Sequence, residues 1–360
     1  MKPMVSDVQI FAQRLRQARI LRKISMDQLV ALIGGLVSKQ SISKYESAKM
    51  LPNSSVLIAL ATALNVDVDY FFRSFGFDVN QFEISFRKKS DTCAKDVNAL
   101  KVKIQDQVER YLEIEEISGK DENKVLKSEG SVITSPDEMR KLAIEVRKDW
   151  DLGCDAIANV QDILEAHGVK VISTEASLKF DGVSGTVNDK VSIIVLNSNR
   201  EHVERRRFTA LHELGHLLYN GRFSGDLSLR EREKLCDAFA GEMLLPSSNL
   251  QGIFRPGDKI SASELRQLQM MYGISIDAVM HKLLELGIVS DSKYKTYCIR
   301  KNQNPDLKKF VEASRYKEAI TNKFETMVYA AVAKDLISTS KAAALLQNSV
   351  GVVRKHLNVI

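Results

Sequence analysis

The run Arg205-Arg-Arg-Phe-Thr-Ala-Leu-His-Glu-Leu-Gly-His-Leu-Leu-Tyr-Asn-Gly221 decides how the rest of the chain is read. It has helical periodicity and ends on glycine, and His212-Glu213-Leu-Gly-His216 within it is an H-E-x-x-H pattern. Histidines four apart lie one turn apart on one helix face, so both imidazoles can reach a single metal ion. Glu213, about a quarter turn away, is close enough to take a proton from water beside that ion. Phe208, Thr209 and Tyr219 share the histidine face, whereas Ala210, Leu211, Leu214 and Leu218 cover the opposite side. The helix therefore has one apolar side and a distinct histidine side.

A catalytic zinc needs a third protein ligand and an open position. Downstream, Arg230-Glu-Arg-Glu-Lys-Leu-Cys-Asp-Ala-Phe-Ala-Gly-Glu-Met-Leu-Leu-Pro246 offers three glutamates. Helical phasing puts Glu233, Cys236, Asp237, Ala240 and Leu244 on one inward-packing stripe. Glu231 and Glu242 fall on the far side near Lys234 and are expected to face water. Glu233 is thus the expected ligand, and Asp237, one turn on, is placed to accept the second N–H of a ligand histidine. Upstream lie three β-rich runs, Val169–Thr174, Gly182–Val187 and residues 191–196, the last two joined by a hairpin loop at Asn188-Asp-Lys190.

The F-T-x-x-H-E-L-G-H-L-L helix followed by E-x-x-x-D-x-F-A-x-x-x-L-x-P is similar to the ImmA/IrrE family of zinc metallopeptidases. So are Phe180-Asp-Gly-Val-Ser-Gly185 and Ile194-Val-Leu-Asn197, and the resemblance runs from about Ser135 to Ser290. It implies Zn2+ held by His212, His216 and Glu233, with Glu213 as catalytic base and Asp237 as the supporting carboxylate. It also implies a gluzincin-like fold in which an extended peptide lies beside an edge strand, for which residues 191–196 are the candidate. Tyr219 or an arginine from 205–207 would stabilise the oxyanion. One departure is Leu235-Cys236, where relatives often show Glu-Ala; it places a thiol near the metal, and Cys236 reads as a small buried residue.

Residues 8–72 read as five short helices. Phe11, Leu15, Ala18 and Leu21 recur at helical spacing, with Arg14, Arg16, Arg19 and Arg22 on other faces. Ser25-Met-Asp-Gln28 is a capping box opening a second helix, 26–33, which Gly34-Gly35 ends. Ser38 caps a third helix to about residue 48, with Val37, Ile42 and Tyr45 as its core contacts. Pro52-Asn-Ser54 precedes two closing helices, 56–64 and 68–72. Ser25-Met-Asp-Gln-Leu-Val-Ala31, Val37-Ser-Lys-Gln-Ser-Ile-Ser-Lys-Tyr-Glu46 and Lys49-Met-Leu-Pro52 resemble the lambda-repressor-like (Xre-type) helix-turn-helix family, over roughly the first 72 residues. In such a domain the recognition helix enters the major groove of DNA and presents its N-terminal side chains to base edges. Lys39, Gln40, Ser43 and Lys44 have the chemistry for it: glutamine can bond adenine through two hydrogen bonds, and lysine favours guanine or phosphate.

Residues 76–134 read as a connector. Val97, Leu100, Ile104, Val108 and Tyr111 step by three or four, marking an amphipathic helix that ends near Ser118-Gly119. It spans too few heptads for a coiled coil and would serve as a spacer or a homodimerisation element. Residues 120–131 are polar and charged, a flexible boundary. Ser135-Pro-Asp-Glu138 is a second capping box, with proline at the first helical position. Residues 265–287 read as a helix–turn–helix packed behind the site. Residues 336–357 are a further pair of short helices, suited equally to a second DNA contact or to partner docking.

Charge follows the same division. A net charge of +6 conceals ten Lys/Arg against five Asp/Glu in residues 1–75 and thirteen against six in 291–360, while 76–290 holds 29 against 35. The basic ends suit nucleic acid and the acidic centre does not. With 44% hydrophobic and 27% charged residues the composition is globular. No apolar run is long enough to span a membrane, the N-terminus lacks an apolar signal core, and Cys93, Cys154, Cys236 and Cys298 are scattered singly. A cytoplasmic protein with reduced thiols and no membrane partner is expected.

The expected fold is α+β and multi-domain: an all-α lambda-repressor-like domain (1–75), the helical connector (76–134), a gluzincin-like peptidase domain with a small antiparallel or mixed sheet (135–290), and a basic all-α C-terminal region (291–360). The expected function is a DNA-binding zinc metallopeptidase that regulates transcription by cleaving a helix-turn-helix repressor or its own residues 120–134; by resemblance, such cleavage relieves repression in stress responses or mobile elements. The alternative is a non-enzymatic regulator or antitoxin whose zinc domain senses metal or docks a partner. Glu213 argues against it, because a structural ion needs no general base.

Overall fold

Capping chemistry sets most helix boundaries in the computed structural model, which describes residues 6–73, 94–119, 126, 130–176, 180–187, 191–199, 202–318 and 322–357. The chain begins with α1 (Asp7–Leu21), α2 (Met26–Leu32), α3 (Lys39–Glu46), α4 (Ser54–Leu64), a 3-10 turn (Val68–Phe72) and the long α5 (Ala94–Ile117). Then come α6 (Pro136–Asp149), α7 (Val160–Ala166), β1 (Val169–Thr174), β2 (Gly182–Val187), β3 (Val191–Asn197), α8 (Val203–Tyr219) and α9 (Leu229–Leu244). The rest is helical: α10 (Ser247–Ile253), α11 (Ala262–Tyr272), α12 (Ile276–Glu285), α13 (Asp291–Gln303), α14 (Pro305–Glu312), α15 (Lys323–Ala333), α16 (Thr339–Leu346) and α17 (Val350–Leu357). Ser25, Ser135, Ser228 and Ser261 each close a capping box with the Gln or Glu three residues on.

By contact, the described residues up to 119 and from 322 onward form one unit, and those from 126 to 318 form the other. The C-terminal stretch 291–360, expected as one region, is therefore divided. α15 to α17 share a core with Tyr111 and Ile114 of α5, whereas α13 and α14 pack in the second unit. The boundary expected at 120–131 falls largely outside the described residues.

In the first unit, Phe11, Leu15, Leu29, Ile42, Leu60 and Phe71 build the core of the N-terminal helices. The turn after α2 needs two consecutive left-handed residues, φ +67° at Gly34 and +69° at Gly35, which glycine adopts without a Cβ penalty. Arg19 grips Glu46 with two hydrogen bonds of 2.6 and 2.7 Å, tying α1 to α3. Arg14 is buried and pairs with Glu109 of α5 at 2.6 Å. The α5 stripe thus faces this chain's own α1 and α15.

In the second unit the sheet order is β1-β3-β2, with β1 parallel and β2 antiparallel to β3. Every residue of β3 is buried, as a strand paired on both edges and covered on both faces requires. This corrects the expectation that residues 191–196 offer the open edge: β3 is central, and β1 and β2 are the edges. A continuous apolar run marks burial and carries no information about strand order. The hairpin loop at 188–190 lies outside the described residues.

The first turns of α8 are held by buried polar bonds. Arg207 donates to the carbonyl oxygens of Ile157, Ala158 and Gly273, pairs with Glu318, and stacks on Tyr316. Glu204 accepts from Ser314, Arg315, Tyr316 and Gln269. Glu242, expected to face water, is instead 1% exposed; it pairs with Lys282 of α12 and accepts from Ser247 N–H and Oγ–H. Helical phasing assumes one buried side, but α9 is covered on several, by α8, α6 and α12. Burial lowers the Lys282 pKa to about 8, only partly offset by Glu242.

Among the described residues no helix is long and apolar enough to cross a membrane. Cys154, Cys236 and Cys298 are free thiols, and Cys93 lies outside the described residues.

Removing either partner of the Glu242–Lys282 pair leaves an uncompensated buried charge, a loss of about 3–5 kcal/mol. Trp150 is the only tryptophan and lies in the second unit, so its fluorescence in urea reports on that unit. Glu242→Ala and Lys282→Ala should each lower the urea midpoint, and Glu242→Leu combined with Lys282→Met should recover much of the loss. Unchanged midpoints in the single variants would show that the pair does not hold α9.

Candidate metal centre and nucleic-acid interface

α8 carries His212 and His216 one turn apart, and α9 brings Glu233 and Asp237 opposite them. The two Nε2 atoms are 3.2 Å apart, Glu233 Oε2 lies 3.4 Å from His212 Nε2, and Glu233 Oε1 lies 3.2 Å from His216 Nε2. A tetrahedral ion bonded at about 2.0–2.1 Å sets its ligand atoms about 3.3–3.4 Å apart. The histidine nitrogens are spaced like two ligands of one such ion, and the Glu233 carboxylate faces both of them, one oxygen to each, so the three residues could hold a divalent ion with a fourth position open. Cys236 Sγ also lies near the histidines, the three ligand atoms being within 4.8 Å of one another. That set is looser, and the sulphur packs beside Gly215 of α8. Glu233 and Cys236 are thus the two candidates for a third donor.

Each of the three glutamates of α9 has a different task. Glu231 closes the capping box with Ser228, Glu242 pairs with Lys282, and Glu233 turns to the histidines. His212 Nδ1 lies 2.7 Å from Asp237 Oδ1. With the Nδ1 proton donated to that carboxylate, Nε2 is left facing the other donors. Burial of His212 works to lower its pKa, but hydrogen bonds to Asp237 and Glu233 and the charges of Asp237 and Glu213 outweigh it and lift the pKa from its ordinary 6.5 to about 9.

Glu213 is buried, and its Oε2 accepts a hydrogen bond of 2.7 Å from Ser184 Oγ of β2. β2 reaches α8 closely because Gly182 lacks a side chain: a Cβ there would meet Thr209 Cγ2 at 2.7 Å and the Val195 carbonyl oxygen at 3.2 Å. Ser184 lies within Phe180–Gly185, and nothing in the local sequence marks its role. Its contact depends on how the strand docks on the helix, which no local spacing reveals.

Of the expected oxyanion donors, Tyr219, Arg205 and Arg207 are engaged by other groups. Tyr219 is buried with its ring 5.5 Å from Phe239, and burial pushes its phenol far up among charges from Arg222, Glu145 and Asp149. Arg205 pairs with Asp181, and Arg207 serves the buried clamp on α8.

On α3, Ile42 and Tyr45 point into the core while Lys39, Gln40, Ser43 and Lys44 are exposed. Ser38 accepts from Ser41 N–H at the helix start. Lys39 pairs with Asp27 of α2 at 2.6 Å, with both side chains more than half exposed. A solvated pair of this kind is weak, so Lys39 can exchange its partner for a phosphate.

Two family models match the chain, one over each of these regions. Residues 164–284 match the peptidase M78 family, described as the IrrE N-terminal-like domain, and residues 15–71 match the helix-turn-helix family. The chain thus joins a helix-turn-helix domain to an IrrE N-terminal-like domain. An uncharacterized HTH-type transcriptional regulator of Bacillus subtilis (strain 168), YobD, is 39% identical over 61 residues, which cover 17% of this chain and 53% of that protein. The chain therefore spans about half the length of the curated relative it matches.

The raised His212 pKa fixes a sign for metal binding. An ion must displace the His212 proton, so apparent affinity should rise about tenfold per pH unit towards pH 9 and then level off. In the ion-free chain, the same shift stabilises the fold fully below pH 6.5, a contribution lost as pH rises through about 9. Asp237→Asn removes the carboxylate, so zinc affinity should fall about 10- to 100-fold and the plateau should begin at lower pH. Competition titrations against a chromogenic chelator measure both; pH-independent affinity would contradict the assignment.

Proposed function

We propose that the chain is a DNA-binding metallopeptidase that regulates transcription by hydrolysing a peptide bond, with Zn2+ held by His212, His216 and Glu233. The carrying observation is Glu213, a buried carboxylate next in sequence to a donor histidine and fixed by Ser184. A structural or sensing ion needs no proton acceptor, so the non-enzymatic alternative gives this pair no task.

A zinc ion bound there would supply Lewis acidity towards a carbonyl oxygen and towards water. Glu213 takes the proton from the attacking water and passes it to the leaving amide nitrogen. The Ser184 hydroxyl occupies Oε2, which leaves Oε1 as the proton-accepting oxygen. Asp237 keeps the His212 ring oriented. β2 is an edge strand that carries Ser184, so an extended peptide pairing along it would pass the Glu213 carboxylate. This is the arrangement first expected of residues 191–196, moved to an edge strand of the described sheet.

The proposed substrate is a helix-turn-helix repressor, with residues 120–134 of the chain itself as the alternative. The proposed DNA contacts are Lys39, Gln40, Ser43 and Lys44, in a cytoplasmic setting. The test is to incubate zinc-loaded full chain with proteome-derived peptides and read new N-termini by mass spectrometry. Glu213→Gln should retain zinc stoichiometry and lose about 100- to 10,000-fold in cleavage rate. Equal yields from wild type and Glu213→Gln would refute hydrolysis at this site.

A further inference from the structure

We propose that α16 and α17 form a second DNA-reading helix-turn-helix, with α17 as the helix that enters the major groove. α16 stops at Leu346, Gln347 takes a left-handed conformation (φ 52°, ψ 40°), and α17 starts at Val350 after only Asn348 and Ser349. Ser349 caps α17 by accepting from Val352 N–H. A three-residue turn with a left-handed first residue is the joint of a helix-turn-helix pair. α15 is the third helix that such a pair needs: Met327, Val328 and Ala331 share one core with Ala342, Ala343, Leu345 and Val353.

The two sides of this module differ in chemistry. Its inner side is bound to α5, where Gln347 donates to Asp106 at 2.9 Å, Arg110 donates to the Leu345 carbonyl oxygen, and Lys341 pairs with Glu113. On α17, Val353 is buried and Val350 and Leu357 are half-buried, whereas Gly351, Val352, Arg354, Lys355 and His356 are exposed. No acidic residue follows Asp335 in the sequence, and among the described residues neither Arg354 nor Lys355 forms an ion pair. A solvated protein surface mixes both signs of charge, and a protein-docking face centres on apolar side chains. This face has one sign and little apolar area, which suits a polyanion. Arg354 and Lys355 can meet guanine or phosphate, and the exposed Val352 methyls can meet a thymine methyl.

α5 also holds α1 through Glu109 and Arg14. The N-terminal helix-turn-helix and this second one are thus fixed to the same long helix. Two modules joined in this way bind one duplex with the second contact made intramolecularly.

The test uses the full chain and a duplex of about 40 base pairs, room for two half-sites a helical turn or more apart, enriched from a random-sequence pool on the wild-type protein. Arg354→Ala/Lys355→Ala is compared with Lys39→Ala/Gln40→Ala/Lys44→Ala by fluorescence anisotropy across a salt series and by hydroxyl-radical footprinting. All five side chains are exposed, and far-ultraviolet circular dichroism verifies that both variants stay folded. The Arg354/Lys355 variant should bind about 10- to 100-fold more weakly, and its salt slope should fall by about 2. One block of protection should vanish, while the block that depends on Lys39, Gln40 and Lys44 stays. Unchanged affinity, slope and footprint would overturn the proposal. Altered sedimentation with intact DNA binding would also overturn it, making the face a protein contact. Loss of the second block alongside wild-type behaviour of the Lys39 variant would sustain this proposal and remove the reading of α3. A wild-type chain that retains no duplex would overturn both.

Discussion

The spacing between α8 and α9 is the constraint on which the candidate metal centre depends. His212, His216 and Glu233 can share one ion only while the carboxylate stays against both imidazoles, 3.2 to 3.4 Å away, and a shift of about an ångström in either helix would break the set. Leu211, Leu214, Leu235, Phe239 and Met243 supply the apolar packing between the helices. Buried polar groups hold their ends. Glu204 and Arg207 fix the start of α8, and Glu242 with Lys282 and Ser247 fixes the end of α9, where Arg147 also donates to the Met243 carbonyl oxygen. Buried ion pairs add little net stability over apolar packing; here they stand at the ends of the two helices whose separation matters.

The sheet enters the same geometry from the other side. Gly182 lets β2 lie against α8, and Ser184 then reaches Glu213. The Glu213 carboxylate is thus oriented by a strand that is also an edge of the sheet. In the other unit α5 has a comparable organising part, anchoring α1 through Glu109 and the C-terminal helices through Asp106, Arg110 and Glu113. Its outer residues look solvated in the sequence, yet Asp106, Glu109 and Arg110 are buried.

Periodicity and capping chemistry are local, and what depends on them was legible. The capping boxes at Ser25 and Ser135 and the three strand segments stand where spacing placed them. Helical phasing alone also separates Glu233, whose carboxylate faces the two histidines, from Glu231, which caps α9. Non-local facts were not legible. Strand order made β3 central, a second covered side buried Glu242, and strand docking gave Ser184 its contact. The division of residues 291–360 between two units has the same origin, because its determinants, Arg207 with Glu318 and Tyr111 with Phe324, are 111 and more than two hundred residues apart.

The identity of the third donor is the central claim, because Glu233 and Cys236 lead to different sites. X-ray absorption at the zinc edge of the metal-loaded chain separates them directly. Coordination by Glu233 gives nitrogen and oxygen neighbours only, at about 2.0–2.1 Å, unchanged by Cys236→Ala and disrupted by Glu233→Ala. A sulphur scatterer at about 2.3 Å that disappears in Cys236→Ala would contradict it.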